Sequence, residues 1–438
     1  MKQYGSYKDS EISWISDIPS HWDVSRLKFL SNYVKTGSTP PSDNPEYFNK
    51  GHIPWYGPGD FNSLVLKDAK RHVTQKAVDE NKCRVFDKDS ILLIGIGATV
   101  GKIGMAKTIC SSNQQINAIN IDKTQMIASY AMYYLSSIKD IIVSEADSST
   151  LPIFNQTQTK NLKFSHPPID EQTQIANYLD HKTHQLDNLI SKKEKLITLL
   201  KEERTAIINQ AVTKGIDSNV PMKDSGVEWL GEIPEHWGCK KIGHVSKVIR
   251  GASPRPAGDP LLFNGDYLPW ITVKEVTNAI GKFIIGTESF LTELGAKQTR
   301  ILEPETLILS NSGATLGVPR ITLIKGGIND GSVAFLNLDV ERDYLYYFFV
   351  THTDIYREEA AGYGQPNLNT EIVKSTKTPF PPKREQIDIV SFIENENARF
   401  NKVLEVSKKE IEILKEYKTA LISEVVTGKV DVRDEIIN

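Results

Sequence analysis

Short apolar runs closed by turn residues fill most of this chain, and two long stretches free of Gly and Pro interrupt them. Runs such as "SILLIGIG" (Ser90–Gly97) and "TLILSNSG" (Thr306–Gly313) are bounded by Gly, Pro, Asn and Thr, the texture of strands and turns. The pattern changes at two Pro pairs, Pro167–Pro168 and Pro381–Pro382. Acids follow in the first turn (Asp170-Glu171; Glu385 after Arg384), and Gly215 and Gly428 stand near the stops. This is helix punctuation, with Pro at the start, acid in the first turn and Gly past the end.

Each long stretch carries two apolar rows spaced by sevens. In the first, Leu179, Leu186, Leu200 and Ile207 form one row, broken at Lys193, and Ile190, Ile197 and Ala211 form the other, broken at Arg204. In the second, Ile393, Phe400, Leu414 and Leu421 are broken at Ser407, and Leu404, Ile411 and Val425 at Lys418. Two such rows predict a coiled-coil seam. A helix of roughly 40 residues spans about 60 Å. The first helix leaves one globular region and the second begins after another, so if they pair they run antiparallel, as a spacer between two heads.

The matching breaks belong to a repeat that runs the whole length. "IPSHW" (Ile18–Trp22) returns as "IPEHW" (Ile233–Trp237), and "NPEYFNKGHIPW" (Asn44–Trp55) as "DPLLFNGDYLPW" (Asp259–Trp270). "GATVG" (Gly97–Gly101) returns as "GATLG" (Gly313–Gly317), and "YAMYYL" (Tyr130–Leu135) as "YLYYFF" (Tyr344–Phe349). "HPPIDEQTQIANYL" (His166–Leu179) and "AVTKGID" (Ala211–Asp217) have their partners at Phe380–Ile393 and Val425–Asp431, in the same order. A unit of about 215 residues is far too long for a solenoid and large enough for its own core. The reading is an α+β tandem duplication, with two mixed α/β domains separated by two long antiparallel coiled-coil helices. The expected boundaries are 1–168 for the first domain with its arm, 169–215 for the first helix, 216–382 for the second domain with its repeated arm, 383–428 for the second helix, and 429–438 for a tail.

Composition narrows the chemistry. The 438 residues hold three scattered cysteines (Cys83, Cys110, Cys239) without paired metal-ligand spacing, which fits a reducing cytoplasm. No run reaches the length of a membrane span, and the first ten residues lack the apolar core of a signal peptide. The net charge of −3 argues mildly against nucleic acid. Charge is local, however: Arg250 and Arg255 flank a Gly-Ala-Ser-Pro turn, and Arg26, Lys28 and Lys35 crowd the matching stretch.

Catalytic motifs fail one by one. "GIGATVGKIG" (Gly95–Gly104) encloses five residues where a nucleotide loop needs four, Ile103 stands where Ser or Thr is needed, and the second copy lacks the lysine. His181 and His184 lie three apart on a helix, a pattern more typical of a solvated face than of a metal site. The chain shows neither the Pro-Pro-aromatic word of an amino-group methyltransferase nor a converging acidic nuclease cluster. What remains is polar and turn-borne. "SSNQQINAIN" presents Asn113, Gln114 and Gln115, where the second copy has Asn329, Asp330 and Gly331. Arg320, Asn311 and Ser312 replace different turn chemistry, Lys102 and Ile96, in the first copy. Asn and Gln amides pair with adenine edges and Arg with guanine. Trp22, Trp237, Trp55 and Trp270 recur in pairs and read as core.

The two "IP-x-HW" arms, the two "PW" words after Phe-Asn, the "GAT-x-G" turns and the paired "PP-x-x-EQ" helix starts, in this order and twice, resemble the specificity subunit of type I restriction-modification enzymes over nearly the whole chain. The resemblance implies two target-recognition domains on antiparallel helices, each reading part of a split duplex DNA sequence. It implies that two modification subunits bring S-adenosylmethionine-dependent adenine methylation and that restriction subunits bring ATP- and Mg-driven cleavage, with no cofactor or metal on this chain. The DNA-contact candidates are then Lys35, Ser38, Thr39, Tyr56, Thr99, Lys102, Asn113, Gln114 and Gln115 in the first head. In the second they are Arg250, Ser253, Arg255, Lys274, Asn311, Ser312, Thr315, Arg320, Asn329, Gln365 and Asn367. Arg250 and Arg255, beside the repeated arm, are expected to grip phosphate, and the polar residues that differ between heads to read bases. A self-contained nucleotide-dependent nuclease and a structural coiled-coil adaptor are the alternatives.

Overall fold

The computed structural model describes residues 2–148, 151–361 and 368–436. The chain divides into two compact units: 1–194 with 408–438, and 195–407. Each unit therefore holds one head and half of each long helix, Ile169–Lys214 and Lys383–Val426.

The first head is built around a five-stranded sheet ordered Ser31–Thr36, Ile116–Ile121, Ser90–Ile94, Ile103–Ala106, Val65–Leu66. Alternation along its central strands decides what covers each face. Ile91, Leu93, Ile119 and Ile121 pack on one side with Tyr130, Ala131, Tyr134 and Leu135 of the helix Ala128–Ser137. Leu92, Ile94, Ile116 and Ala118 face the other way, onto Tyr56, Phe86 and Cys110 of a four-stranded sheet. That sheet runs Arg71–Val73, Ile53–Tyr56, Cys110–Ser112, Val85–Phe86.

The second head repeats both sheets. The larger runs Lys247–Arg250, Ser332–Leu336, Thr306–Ser310, Pro319–Thr322, Phe283–Ile284. Leu307, Leu309, Val333 and Phe335 pack with Tyr344, Leu345 and Phe348 from the helix Arg342–Ala361, while Ile308 and Ala334 face the small sheet.

The repeated words are the joints of this frame, with Trp22, Trp237 and Glu171 buried, Glu385 half-buried and His21 and His236 exposed. Glu171 accepts from the Trp22 indole at 3.0 Å and from the Tyr4 hydroxyl at 2.7 Å, and bonds His21 at 2.7 Å. Glu385 meets Trp237 at 3.0 Å and His236 at 2.9 Å. The adjoining Gln172 accepts from the Ile127 amide and donates to the Pro167 carbonyl; Gln386 does the same with Glu341 and Pro381. The "HW" and "EQ" words thus bond to each other, which ties arm to helix start. The "GAT-x-G" words repeat for a backbone reason: Gly97, Gly101, Gly313 and Gly317 all have φ between +75° and +109°, a region that disfavours side chains.

Within each unit the helix halves pair antiparallel. Lys193 meets Glu410 and Lys418 meets Asp187, each at 2.7 Å, in the first unit. In the second, the Arg204 guanidinium donates to Asn397 at 2.6 Å and to Asn401 at 3.3 Å. Three of the four breaks in the apolar rows, Lys193, Arg204 and Lys418, are therefore cross-helix polar contacts, and the fourth, Ser407, is buried. Leu179, Ile190, Ile393, Phe400, Leu404, Ile411 and Leu421 are buried, and Leu186, Ile197, Leu200, Ile207 and Leu414 half-buried. Among the described residues, no helix is long and apolar enough to cross a membrane, and no cluster of three His, Cys, Asp or Glu is placed to hold a metal.

Candidate nucleic-acid interface

Three loops leave the same end of each five-stranded sheet. In the first head they are 37–39, 95–101 and 113–115, fixed by the pairings Thr36↔Asn117 and Ile94↔Ile116. In the second they are 251–258, 311–318 and 329–331, fixed by Arg250↔Val333 and Ser310↔Ser332.

The loops are laced together identically. Gly37 and Gly251 cross so close to the third loop that a Cβ at either would collide with the Asn113 or Asn329 carbonyl oxygen. Ser38 and Ala252 donate backbone bonds to Ser112 and Ile328. The Thr39 hydroxyl then donates to the Gln114 side chain, and the Ser253 hydroxyl to Asp330 at 2.6 Å. The scaffold holds the same positions in both heads while the chemistry offered there differs, an amide in one and a carboxylate in the other.

In the first head Ser38, Thr39, Asn113, Gln114 and Gln115 come together. Asn113 closes on Gln115 through side-chain and backbone bonds of 3.0 and 3.1 Å, and Gln115 reaches toward the Ile96 carbonyl at 3.5 Å. Gln114 is exposed, as are Lys35 and Lys102, and Thr99 is half-buried. Lys35 rides over the Tyr33 ring at 4.6 Å. Tyr56 is a correction: it is buried in the core between the sheets, its hydroxyl donating to the Lys67 carbonyl at 2.7 Å, so it presents nothing to a ligand.

In the second head Ser253, Arg255, Asn329 and Asp330 line a cleft of about 490 Å³ with Phe263 and Trp270. The Arg250 side chain donates to the Asp330 carbonyl at 2.9 Å, and Arg255 stands 3.5 Å from its carboxylate. Lys274 is exposed and pairs with Glu288 at 3.4 Å; Ser312 and Thr315 are half-buried. Gln365 and Asn367 lie outside the described residues.

Two expectations change. Arg320 sits on a strand instead of a turn, and its guanidinium donates to the Pro319 and Ala279 carbonyls at 2.8 and 3.1 Å. Burial lowers its pKa, and its counterpart by strand pairing is Gly104, not Lys102 (both lie opposite the third residue of the neighbouring strand). Asn311 is fully buried, and among the described residues neither of its amide atoms has a hydrogen-bond partner. Arg250 and Arg255, expected to grip phosphate, fall where the first head has Thr36 and Pro41.

Sequence reasoning also passed over Arg71, held over the Phe48 and Trp55 rings at 4.2 and 5.1 Å. Asp330, which accepts from Arg250 and pairs with Arg255, has no sequence signal beyond its place beside Asn329.

The same frame is thus built twice, with different polar loops at the same end of each copy. Residues 19–201 and 234–413 match the type I restriction modification DNA specificity domain, and the chain belongs to that family of specificity subunits. It is 26% identical over 438 residues to the type I restriction enzyme MjaIX specificity subunit of Methanocaldococcus jannaschii, covering 96% of each chain. Over 186 residues it is 24% identical to the EcoR124I/EcoR124II specificity subunit of Escherichia coli, 41% of this chain and 44% of that one. Among solved structures, a chain from work on complex assembly and conformational transition of the type I R-M system superposes with TM-score 0.73 at 15% identity, over 94% of this chain and 99% of that one. The HsdS subunit from Thermoanaerobacter tengcongensis gives 0.58 at 14% identity, over 94% and 98%. These likenesses support the fold.

Proposed function

We propose that each head reads one half of an asymmetric bipartite DNA target, and that the chain positions modification and restriction subunits on it. In this reading the chain performs no chemistry itself. S-adenosylmethionine, ATP and Mg belong to the partner subunits, and the assembly works in the cytoplasm. The observation that carries the proposal is the loop lacing: a hydroxyl at residue 39 or 253 presents residue 114 or 330 from the same scaffold point, but as Gln in one head and Asp in the other. Identical heads would suit a symmetric site; these suit two different half-sites. The Gln amide offers the donor–acceptor pair that matches an adenine edge, whereas a carboxylate accepts from cytosine.

The test maps methylated adenines in cells that express the chain with its modification subunits. Gln114→Ala is expected to relax one position of one half-site, at a cost of roughly 1–3 kcal/mol in discrimination, and to leave the other half unchanged. Methylation at the same sites without this chain, or an equal change in both half-sites, would overturn the reading.

A further inference from the structure

Strand pairing exposes a repeat that the sequence words do not advertise. In the small sheet of the second head, Arg300 pairs with Ile328, one residue before Asn329. In the first head Val85 pairs with Ser111, which puts Arg84 opposite Ser112, one residue before Asn113. Arg84 and Arg300 thus occupy the same place: next to or at the start of the edge strand, beside the third reading loop, and exposed in both heads. We propose that they are one shared phosphate-gripping position, the sequence-blind anchor of each head on duplex DNA. The proposal rests on the DNA-reading function above.

The chemistry of the position supports a phosphate grip. Among the described residues, no carboxylate lies within ion-pair distance of either guanidinium, whereas Arg255 leans on Asp330 and Lys274 on Glu288. Arg84 is anchored to the first loop, its guanidinium donating to the Thr36 carbonyl at 2.7 Å and its backbone N–H to the Ser38 hydroxyl at 2.8 Å. One of five guanidinium donors is used there and four remain. In the second head Arg255 N–H donates to Gln298 at 3.0 Å, which ties the loop to the segment leading into Arg300. A cation that is the same in both heads cannot distinguish two half-sites, but it can fix each head on a backbone that every sequence shares. In a chain of net charge −3, such unpaired local cations are what a polyanion would meet.

The experiment uses the assembled methyltransferase, this chain with its modification subunits, on labelled target and scrambled duplexes over a range of salt. Arg84→Ala and Arg300→Ala should each flatten the slope of log affinity against log salt by about one, and the double variant by about two. Target and scrambled duplexes should weaken alike, and the methylated sequence should stay the same. Among the described residues the Arg300 side chain makes no hydrogen bond or ion pair, so a folding defect in Arg300→Ala would not mimic the effect. Arg300→Lys should keep most of the slope, because a phosphate contact needs charge more than a planar fork. An unchanged slope would reduce both residues to edge-strand protection, and an altered base preference would make them readers; either overturns the proposal. Absence of target preference in the unsubstituted assembly would instead overturn the DNA-reading function, and this inference with it.

Discussion

Glu171 is buried at a helix start and bonded by an indole, a hydroxyl and an imidazole, and Glu385 repeats the arrangement with two of the three. A carboxylate is tolerated in such a place only when donors surround it. His352 shows the opposite case. It is buried against Phe348, Trp229 and Tyr356, at ring distances of 5.1, 4.6 and 4.4 Å, and among the described residues its Nδ1 has no hydrogen-bond partner. Burial pushes its pKa down from 6.5 to about 4. Between those values the unfolded chain holds a proton that the folded one refuses, so stability falls as pH drops through that window, by up to about 3 kcal/mol. The first head has Ile138 at the matching distance from its repeated tyrosine, also buried. His352→Ile should therefore lose less stability than the parent between pH 7.5 and pH 4.5, as read from urea unfolding of the second head. Parallel losses in the two proteins would exclude His352 as the cause.

At the scale of elements, two of the polar breaks in the helix seam are matched devices: Lys418 with Asp187 corresponds to Arg204 with Asn401, 214 residues apart in both members. Polar residues at seam positions specify register and partner at some cost in stability. Lys418→Leu should leave the unfolding free energy of the chain unchanged within about 1 kcal/mol, or raise it, while light scattering detects new self-association. A marked loss of stability with no association would show instead that the ion pair is chiefly stabilising. The helices and the duplication were legible in sequence because buried joints tolerate few residue types, so the words recur. The interface was legible only as a set of loops. Gln114 and Ser253 look like any exposed turn residues, since their roles come from bonds across about 75 residues of chain. Tyr56 and Arg320 misled because polarity alone does not reveal which way a strand residue points. Arg84 and Arg300 escaped because a single shared residue makes no word; only strand pairing aligns them.

At the scale of the whole chain, the compact units do not follow the repeat. The unit holding the first head also takes residues 408–438, so the head is completed by the far end of the sequence. Val425, Val426, Val430 and Val432 are buried in its core, and the Tyr130 hydroxyl donates to the Val426 carbonyl at 3.1 Å. Gly428 lies so close to Pro19 and Trp22 that a side chain there would collide with the Pro19 ring. The second head makes the equivalent use of the first helix: Tyr344 donates to the Val212 carbonyl at 2.8 Å, and Gly215 packs on Trp237. Each buried valine contributes about 1.5–3 kcal/mol, a large share of any domain's net stability. Deleting residues 425–438 should therefore destabilise the first head although residues 1–168 remain intact. Hydrogen exchange should show lost protection in the strands Ser90–Ile94 and Ile116–Ile121, with Thr306–Ser310 and Ser332–Leu336 protected as before. Uniform loss across both heads would mean that the tail acts on the chain as a whole, and unchanged protection that the first head is complete without it.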